Sequence, residues 1–304
     1  MKIILKSLIT IICLVSLINA QGLLQGLSHP EDAQGWGLQA FSTFKANGTG
    51  ASLNPAITGL SDNYIKFNYT NFVLDINSTS LGYLNSSRAG KYSISIRALN
   101  YGEWDKRDSN GNKTGSYSIN DIYSKISWGF KISSNFHAGL NLNYGHSSLY
   151  NFSADYLTGG LGLIYTFGSN FTIGLSTINN VITGKSYSKH EELESLMILG
   201  LSKKLEYLPM RMGFDILRDS NNQYLFNLGG RLFINNLYFL WGISSKKEGL
   251  STEDPVNNLI AGISAGFGIN FNPYSLSFGY RNLGGMGSIM SFSVNWKLKK
   301  DNDE

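Results

Sequence analysis

Apolar and polar residues alternate with period two from about residue 64 to residue 298, which limits the chain to strands with two unlike faces. Tyr92, Ile94, Ile96 and Ala98 interleave with Ser93, Ser95 and Arg97. Ile122, Ile126, Trp128 and Phe130 stand against Tyr123, Lys125, Ser127 and Lys131, and Ala138, Leu140, Leu142 and Tyr144 against Asn141 and Asn143. Met210, Met212, Phe214 and Ile216 oppose Arg211 and Asp215; Tyr224, Phe226, Leu228 and Leu232 oppose Asn227 and Arg231. Every charge in these runs falls on the polar face. Runs of this kind, with weaker copies between them, give about 14 strands, and the expected fold is all-β: a transmembrane antiparallel β-barrel with lipid outside and a polar lumen.

Loop lengths supply an independent constraint. Short links at 133–135, 168–170, 235–236 and 272–273 interleave with long ones at 102–120, 146–158, 181–192 and 245–258, while 203–209 is longer than this parity predicts. Membrane barrels have short periplasmic turns and longer outer loops. A soluble sandwich, the competing all-β reading, has no reason to sort its loops this way. Charged residues make up 15% of the chain, below the usual quarter, and aromatics 13%, which suits a lipid-facing surface with aromatic girdles. Beyond the leader no apolar run is long enough for a spanning helix.

The chain opens with Lys2 and Lys6, an apolar core at 7–17 and Ile18-Asn19-Ala20, the pattern of a signal peptide covering 1–20. The competing reading, a membrane anchor, needs a longer apolar core. Cys13, the single cysteine, leaves with that leader and takes thiol chemistry with it. The formal net charge of +4, reduced further by loss of Lys2 and Lys6, is too small for a nucleic-acid footprint. Residues 21–62 form an N-terminal periplasmic or plug segment, 63–298 the barrel and 299–304 a charged tail. Within 35–60, Gly-rich sequence runs into SLNPAITGL, with Ser52 as a candidate N-cap and Pro55 in the first helical turn. Asn54 and Pro55 head a piece that either enters the lumen as a plug or tethers the barrel floor. Arg97, Arg211 and Arg231 are the cations expected to face the lumen.

Asn54-Pro55-Ala56, Phe67-Asn68-Tyr69 and Ser80-Leu81-Gly82-Tyr83 resemble the N-terminal region of the PorV/PorQ family, outer-membrane barrels of the type IX secretion system related in shape to FadL. Leu99-Asn100-Tyr101-Gly102, Asp105, Asn110-Gly111-Asn112, Gly115 and Asp121 resemble that family's third strand and first long loop. The stretch 199–205 with Pro209, and 261–268 running into 276–280, lean toward PorQ. The resemblance implies a barrel that anchors or shuttles protein partners of a secretion and attachment complex at the cell surface, without being the catalyst. Partner-binding candidates are then Trp104, Asp105, Lys106, Arg107 and Asp108 in the loop 102–120, together with the loop 181–192.

Little else points to chemistry. His29, His137, His146 and His190 have no metal-ligand spacing, and neither a catalytic triad nor a G-x-S-x-G elbow is present. The Asp108-Asn110-Gly111 spacing hints at a calcium loop, but Lys106 stands where a first ligand is needed, so a plain turn is the reading. Catalytic, metal and cofactor-binding residues are therefore expected to be none. Besides the secretion role, the plug-like segment supports an alternative: a FadL-like transporter of hydrophobic small molecules across the bacterial outer membrane. A passive porin is the weakest reading, because about 14 strands enclose a modest lumen that side chains and the N-terminal segment can fill.

Overall fold

The computed structural model describes residues 27, 29–168, 170–187, 193–245 and 260–298. The leader 1–20, the tail 299–304, His190 with Glu191 and Glu192, and most of the loop 245–258 lie outside them. The strands run β1 (Tyr64–Asn71), β2 (Asn77–Ser87), β3 (Gly90–Arg107), β4 (Lys113–Lys131), β5 (Phe136–Leu149), β6 (Phe152–Phe167) and β7 (Phe171–Lys185). They continue with β8 (Leu196–Lys204), β9 (Met210–Asp219), β10 (Tyr224–Ile234), β11 (Leu237–Ser244), β12 (Ile263–Phe271), β13 (Tyr274–Asn282) and β14 (Ser288–Lys297). Each strand is hydrogen-bonded to the next, and β1 pairs antiparallel with β14, so the barrel is closed and leaves no free sheet edge.

Alternation decides which face each residue takes. Phe67, Leu81, Ile94, Ile96, Ile126, Leu140, Leu142, Phe226, Phe267 and Phe292 all point outward and are exposed. An apolar surface that encircles the molecule is a lipid belt. Where the short turns lie, ring pairs such as Trp128–Phe130, Tyr165–Phe167 and Tyr274–Trp296 form an aromatic girdle at one membrane interface. Short turns mark the periplasmic end. The barrel therefore sits in the bacterial outer membrane.

The wall is uneven in height. β3 and β4 have 18 and 19 residues, well beyond the 9–11 that cross a bilayer, whereas β8 and β11 have 9 and 8. The stretch 102–120, expected as a long loop, is mostly strand, and 146–158 likewise shrinks to a turn at Tyr150 and Asn151 between β5 and β6. Cross-strand pairing explains the extension: Trp104 faces Tyr117, Asp105 faces Ser116, and Lys113 reaches Asp105 at 2.6 Å. Only 108–112 remain as a turn, held by the Asp108 carboxylate, which accepts from the backbone N–H groups of Asn110 and Asn112 at 2.9 Å each.

Before β1 the chain fills the lumen. It forms α1 (Ala33–Leu38), a 3-10 helix (Ala46–Ser52) and a second one (Pro55–Leu60). Asp32 caps α1 by accepting from Gly35 N at 2.8 Å. Ser52, expected as the next N-cap, instead ends the first 3-10 helix and donates to the Thr49 carbonyl at 3.2 Å. Asn54 takes the capping role, its Oδ1 accepting from Ala56 N at 3.0 Å. The cause is Pro55, which forces the preceding residue into extended backbone and so puts the cap directly before itself.

The wall makes room for this segment by omitting side chains. An inward glycine on each of β4 to β11, and another on β13, faces the plug. A Cβ on Gly229 would lie 1.9 Å from the Leu38 carbonyl oxygen, and one on Gly279 would lie 2.0 Å from that of Ala33. The N-terminal segment is thus a fitted plug rather than a floor tether.

Candidate functional site

The lumen divides into an apolar compartment and a polar one. Against the plug's Leu38, Phe41 and Leu53, strands β7 to β11 present Ile178, Leu196, Ile198, Leu217 and Leu240, all buried. These wall residues occupy inward register positions, which a water-filled channel would give to polar side chains. A small cavity of about 70 Å³ lies here, its wall divided between the apolar Phe41, Leu53, Leu196, Leu217 and Leu225 and the polar His29, Gln39, Glu194, Asn227, Ser244 and Arg281. Its position toward the outer end of β8 and β9 puts the apolar compartment between the outside and the plug.

Charged groups fix the plug in place. Lys66 on β1 donates to Asp32 at 2.6 Å with both side chains buried, and Lys125 on β4 pairs with Glu31. Asp215 on β9 accepts from the backbone of Phe41 at 2.8 Å and of Ser42 at 2.9 Å, and from the Ser42 hydroxyl at 2.6 Å. A buried carboxylate that takes three donors from one short stretch works as a clamp on that stretch. Toward the outer end, Asp121 accepts from the hydroxyls of Tyr101 and Tyr123 at 2.7 Å each, tying β3 to β4.

Each residue singled out from the sequence has a definite place. Asn54 is fully buried and its amide reaches the Leu163 carbonyl on β6 at 3.2 Å, while Pro55 packs against Gly139. Arg97 is buried in the lumen and donates to Ser78 Oγ at 2.8 Å. Arg231 donates to the Gln34 side chain at 2.9 Å and stacks 3.8 Å above the Tyr238 ring; Arg211 donates to Ser202 Oγ at 3.1 Å. Trp104, Asp105, Lys106 and Arg107 lie on the protruding end of β3, exposed, with Asp108 in the turn beyond. The structure turns the first group into the lumen and leaves the second exposed on the β3–β4 hairpin. Sequence reasoning passed over Asp32, Lys66 and Asp215 as clamp residues and the inward glycines as a fitted surface. Period-two spacing could have shown the glycines, since one recurs on the polar face of strand after strand.

No group of side chains among the described residues could hold a metal ion. No protein-family model matches the chain, and no curated protein sequence does. Solved structures do match. The Ralstonia pickettii toluene transporter TbuX superposes with a TM-score of 0.58 at 12% identity, covering 89% of this chain and 99% of that one. The P. putida toluene transporter TodX gives 0.56 at 12%, over 89% and 99%, and a Pseudomonas aeruginosa FadL homologue gives 0.55 at 12%, over 93% and 100%. The finer resemblance to PorV and PorQ gains no support from these matches. What the closed barrel, its lipid belt and its fitted N-terminal plug establish is the FadL-like outer-membrane barrel fold.

Proposed function

We propose that this barrel passes hydrophobic small molecules across the outer membrane, and that it is not an enzyme. One observation carries the reading: inward Ile178, Leu196, Ile198, Leu217 and Leu240 on β7, β8, β9 and β11 form an apolar compartment on the outer side of the plug, turned away from lipid and toward Phe41 and Leu53. An inner wall of this kind offers an apolar solute a place to leave water before it reaches the polar half of the lumen. The toluene transporters and the FadL homologue that share the fold support the same solute class. Among the described residues the protruding β3–β4 hairpin is the surface feature to which the secretion-anchor reading can attach, and the toluene transporters and the FadL homologue do not speak for that role.

Uptake of radiolabelled toluene and of a long-chain fatty acid by cells with and without the protein tests the proposal. Faster uptake of either solute with the protein present is the expected result, and it should fall when Leu217 is replaced by Asp, which puts a charge in the apolar compartment. Equal uptake of both solutes would overturn it.

A further inference from the structure

The periplasmic rim of the wall carries charge of one sign. Arg88 in the turn between β2 and β3, with Lys91, Lys131, Lys203, Lys204 and Lys297 at strand ends, stands against two carboxylates, Asp62 and Glu206. Asp62 already pairs with Lys297 at 2.9 Å, and Lys91 donates to the Ser61 carbonyl. Arg88, Lys131, Lys203 and Lys204 are exposed and form no ion pair with any described residue. The outer hairpin differs: Arg107 and Lys113 both pair with Asp105.

The turn between β8 and β9 adds an apolar part to this rim. Lys203 continues the lipid-facing register of Leu199 and Leu201, and its cross-strand neighbours are Phe171 on β7 and Met212 on β9. Phe171 packs against Phe167 of the aromatic girdle, with 5.9 Å between ring centres. The turn itself is held by backbone bonds: Leu205 N donates to the Met210 carbonyl at 2.9 Å, and Phe233 N to the Pro209 carbonyl at 2.7 Å. It nevertheless leaves Tyr207 95% and Leu208 53% exposed. In water two such side chains on an ordered turn gain nothing. At a bilayer interface a tyrosine and a leucine enter the boundary while neighbouring ammonium groups stay at the headgroups.

From this juxtaposition we propose that the outside of the periplasmic rim is a docking surface for anionic phospholipid of the periplasmic leaflet, with the β8–β9 turn as its main site. Lys203 and Lys204 meet the headgroup phosphate as mobile point charges, and Tyr207 and Leu208 enter the acyl boundary beside it. Arg88 and Lys131 extend the positive rim on the β2–β3 and β4–β5 turns. Surplus cations at a membrane surface favour lipids of net negative charge over zwitterionic ones, whose own ammonium cancels the phosphate. Lipid is the occupant because Lys203 shares its register with the lipid belt and its neighbour Phe171 belongs to the girdle. The surface lies outside the lumen and does not depend on transport through the barrel.

The full-length barrel in a non-ionic detergent, titrated with phosphatidylglycerol and with phosphatidylcholine of the same chain length and read by native mass spectrometry, tests the surface. Saturable binding of phosphatidylglycerol, roughly tenfold or more tighter than that of phosphatidylcholine, is expected. Each cation near an anionic lipid is worth about fivefold, so Lys203→Gln combined with Lys204→Gln should weaken phosphatidylglycerol by roughly tenfold or more and leave phosphatidylcholine unchanged. Tyr207→Ser should weaken both lipids alike. Lys106→Gln combined with Arg107→Gln removes the same charge from the outer hairpin and should change neither. Unchanged thermal unfolding checks that each variant barrel is intact. Equal binding of the two lipids, or an equal loss from the rim and the hairpin variants, would overturn the proposal. So would tighter binding of poly-glutamate than of phosphatidylglycerol, which would assign the rim to an acidic protein.

Discussion

Replacing Asp215 by Ala should loosen the plug at one defined place. The carboxylate accepts three hydrogen bonds from Phe41 and Ser42, at 2.6 to 2.9 Å, and all of these atoms are buried. Hydrogen bonds to a charged acceptor contribute roughly 1.5–3 kcal/mol each, but water entering the vacated volume recovers part of the loss. A net effect of about 3 kcal/mol on local opening is therefore expected, which corresponds to roughly a hundredfold in the opening equilibrium. Amide hydrogen exchange read on peptides containing Phe41 and Ser42 measures that equilibrium directly. Asp215→Asn, which keeps one carbonyl acceptor, should fall between wild type and Ala. Exchange at these two amides unaltered by Asp215→Ala would refute the clamp.

Three further predictions concern the plug and the hairpin. Gly229→Val forces a side chain against the Leu38 carbonyl and should destabilise the barrel by roughly 1–3 kcal/mol in denaturant unfolding, while Gly82→Ala, whose added Cβ meets nothing nearer than 3.8 Å, should be close to neutral. Lys66→Met leaves Asp32 buried without its cation and should cost about 3–5 kcal/mol in the same assay; the double variant with Asp32→Asn should recover part of this, and a strictly additive double variant would contradict the pairing. Asp108 is held below the usual carboxylate range by its backbone bond from Asn112, so its contribution to hairpin order is present above the unfolded value and lost as pH falls through the lower folded one. The Asn112 amide resonance should accordingly stay in its folded position at neutral pH and shift only below about pH 4.

Strand positions were legible because one rule, period two, governs nearly every residue from Tyr64 to Lys297. β11 begins directly after the short link expected at 235–236, and β12 ends directly before the one expected at 272–273. The rule fails where both faces meet water. On β3 and β4 beyond Asn100 and Asn120 no lipid demands apolar side chains, so Glu103 to Arg107 and Lys113 to Ser118 read as loop although backbone pairing continues through them. The plug was legible as a Gly-rich segment ending in Asn54 and Pro55, but its partners were not. Asp32 meets Lys66 and Phe41 meets Asp215 only through a closed barrel, and nothing local in the chain encodes which wall residue a plug residue will touch. Arg211 and Arg231 were legible as lumen cations. That they stand opposite each other on β9 and β10 follows from register, which the sequence leaves open.

The pairing of the first strand with the last bears on the order of assembly. Tyr64 meets Lys297, and Ala33 N donates to Ser293 Oγ across 260 residues of chain. Contacts of such sequence separation form late, because a long segment must be confined before they contribute anything. The segment made first is therefore secured last. While β14 is missing, the seam beside β1 stands open along the whole membrane depth, and Ala33 lacks its partner. Sealing the seam and tying Ala33 to β14 become a single event, whereas the contacts of Phe41 and Ser42 with β9 can form before the last strand arrives.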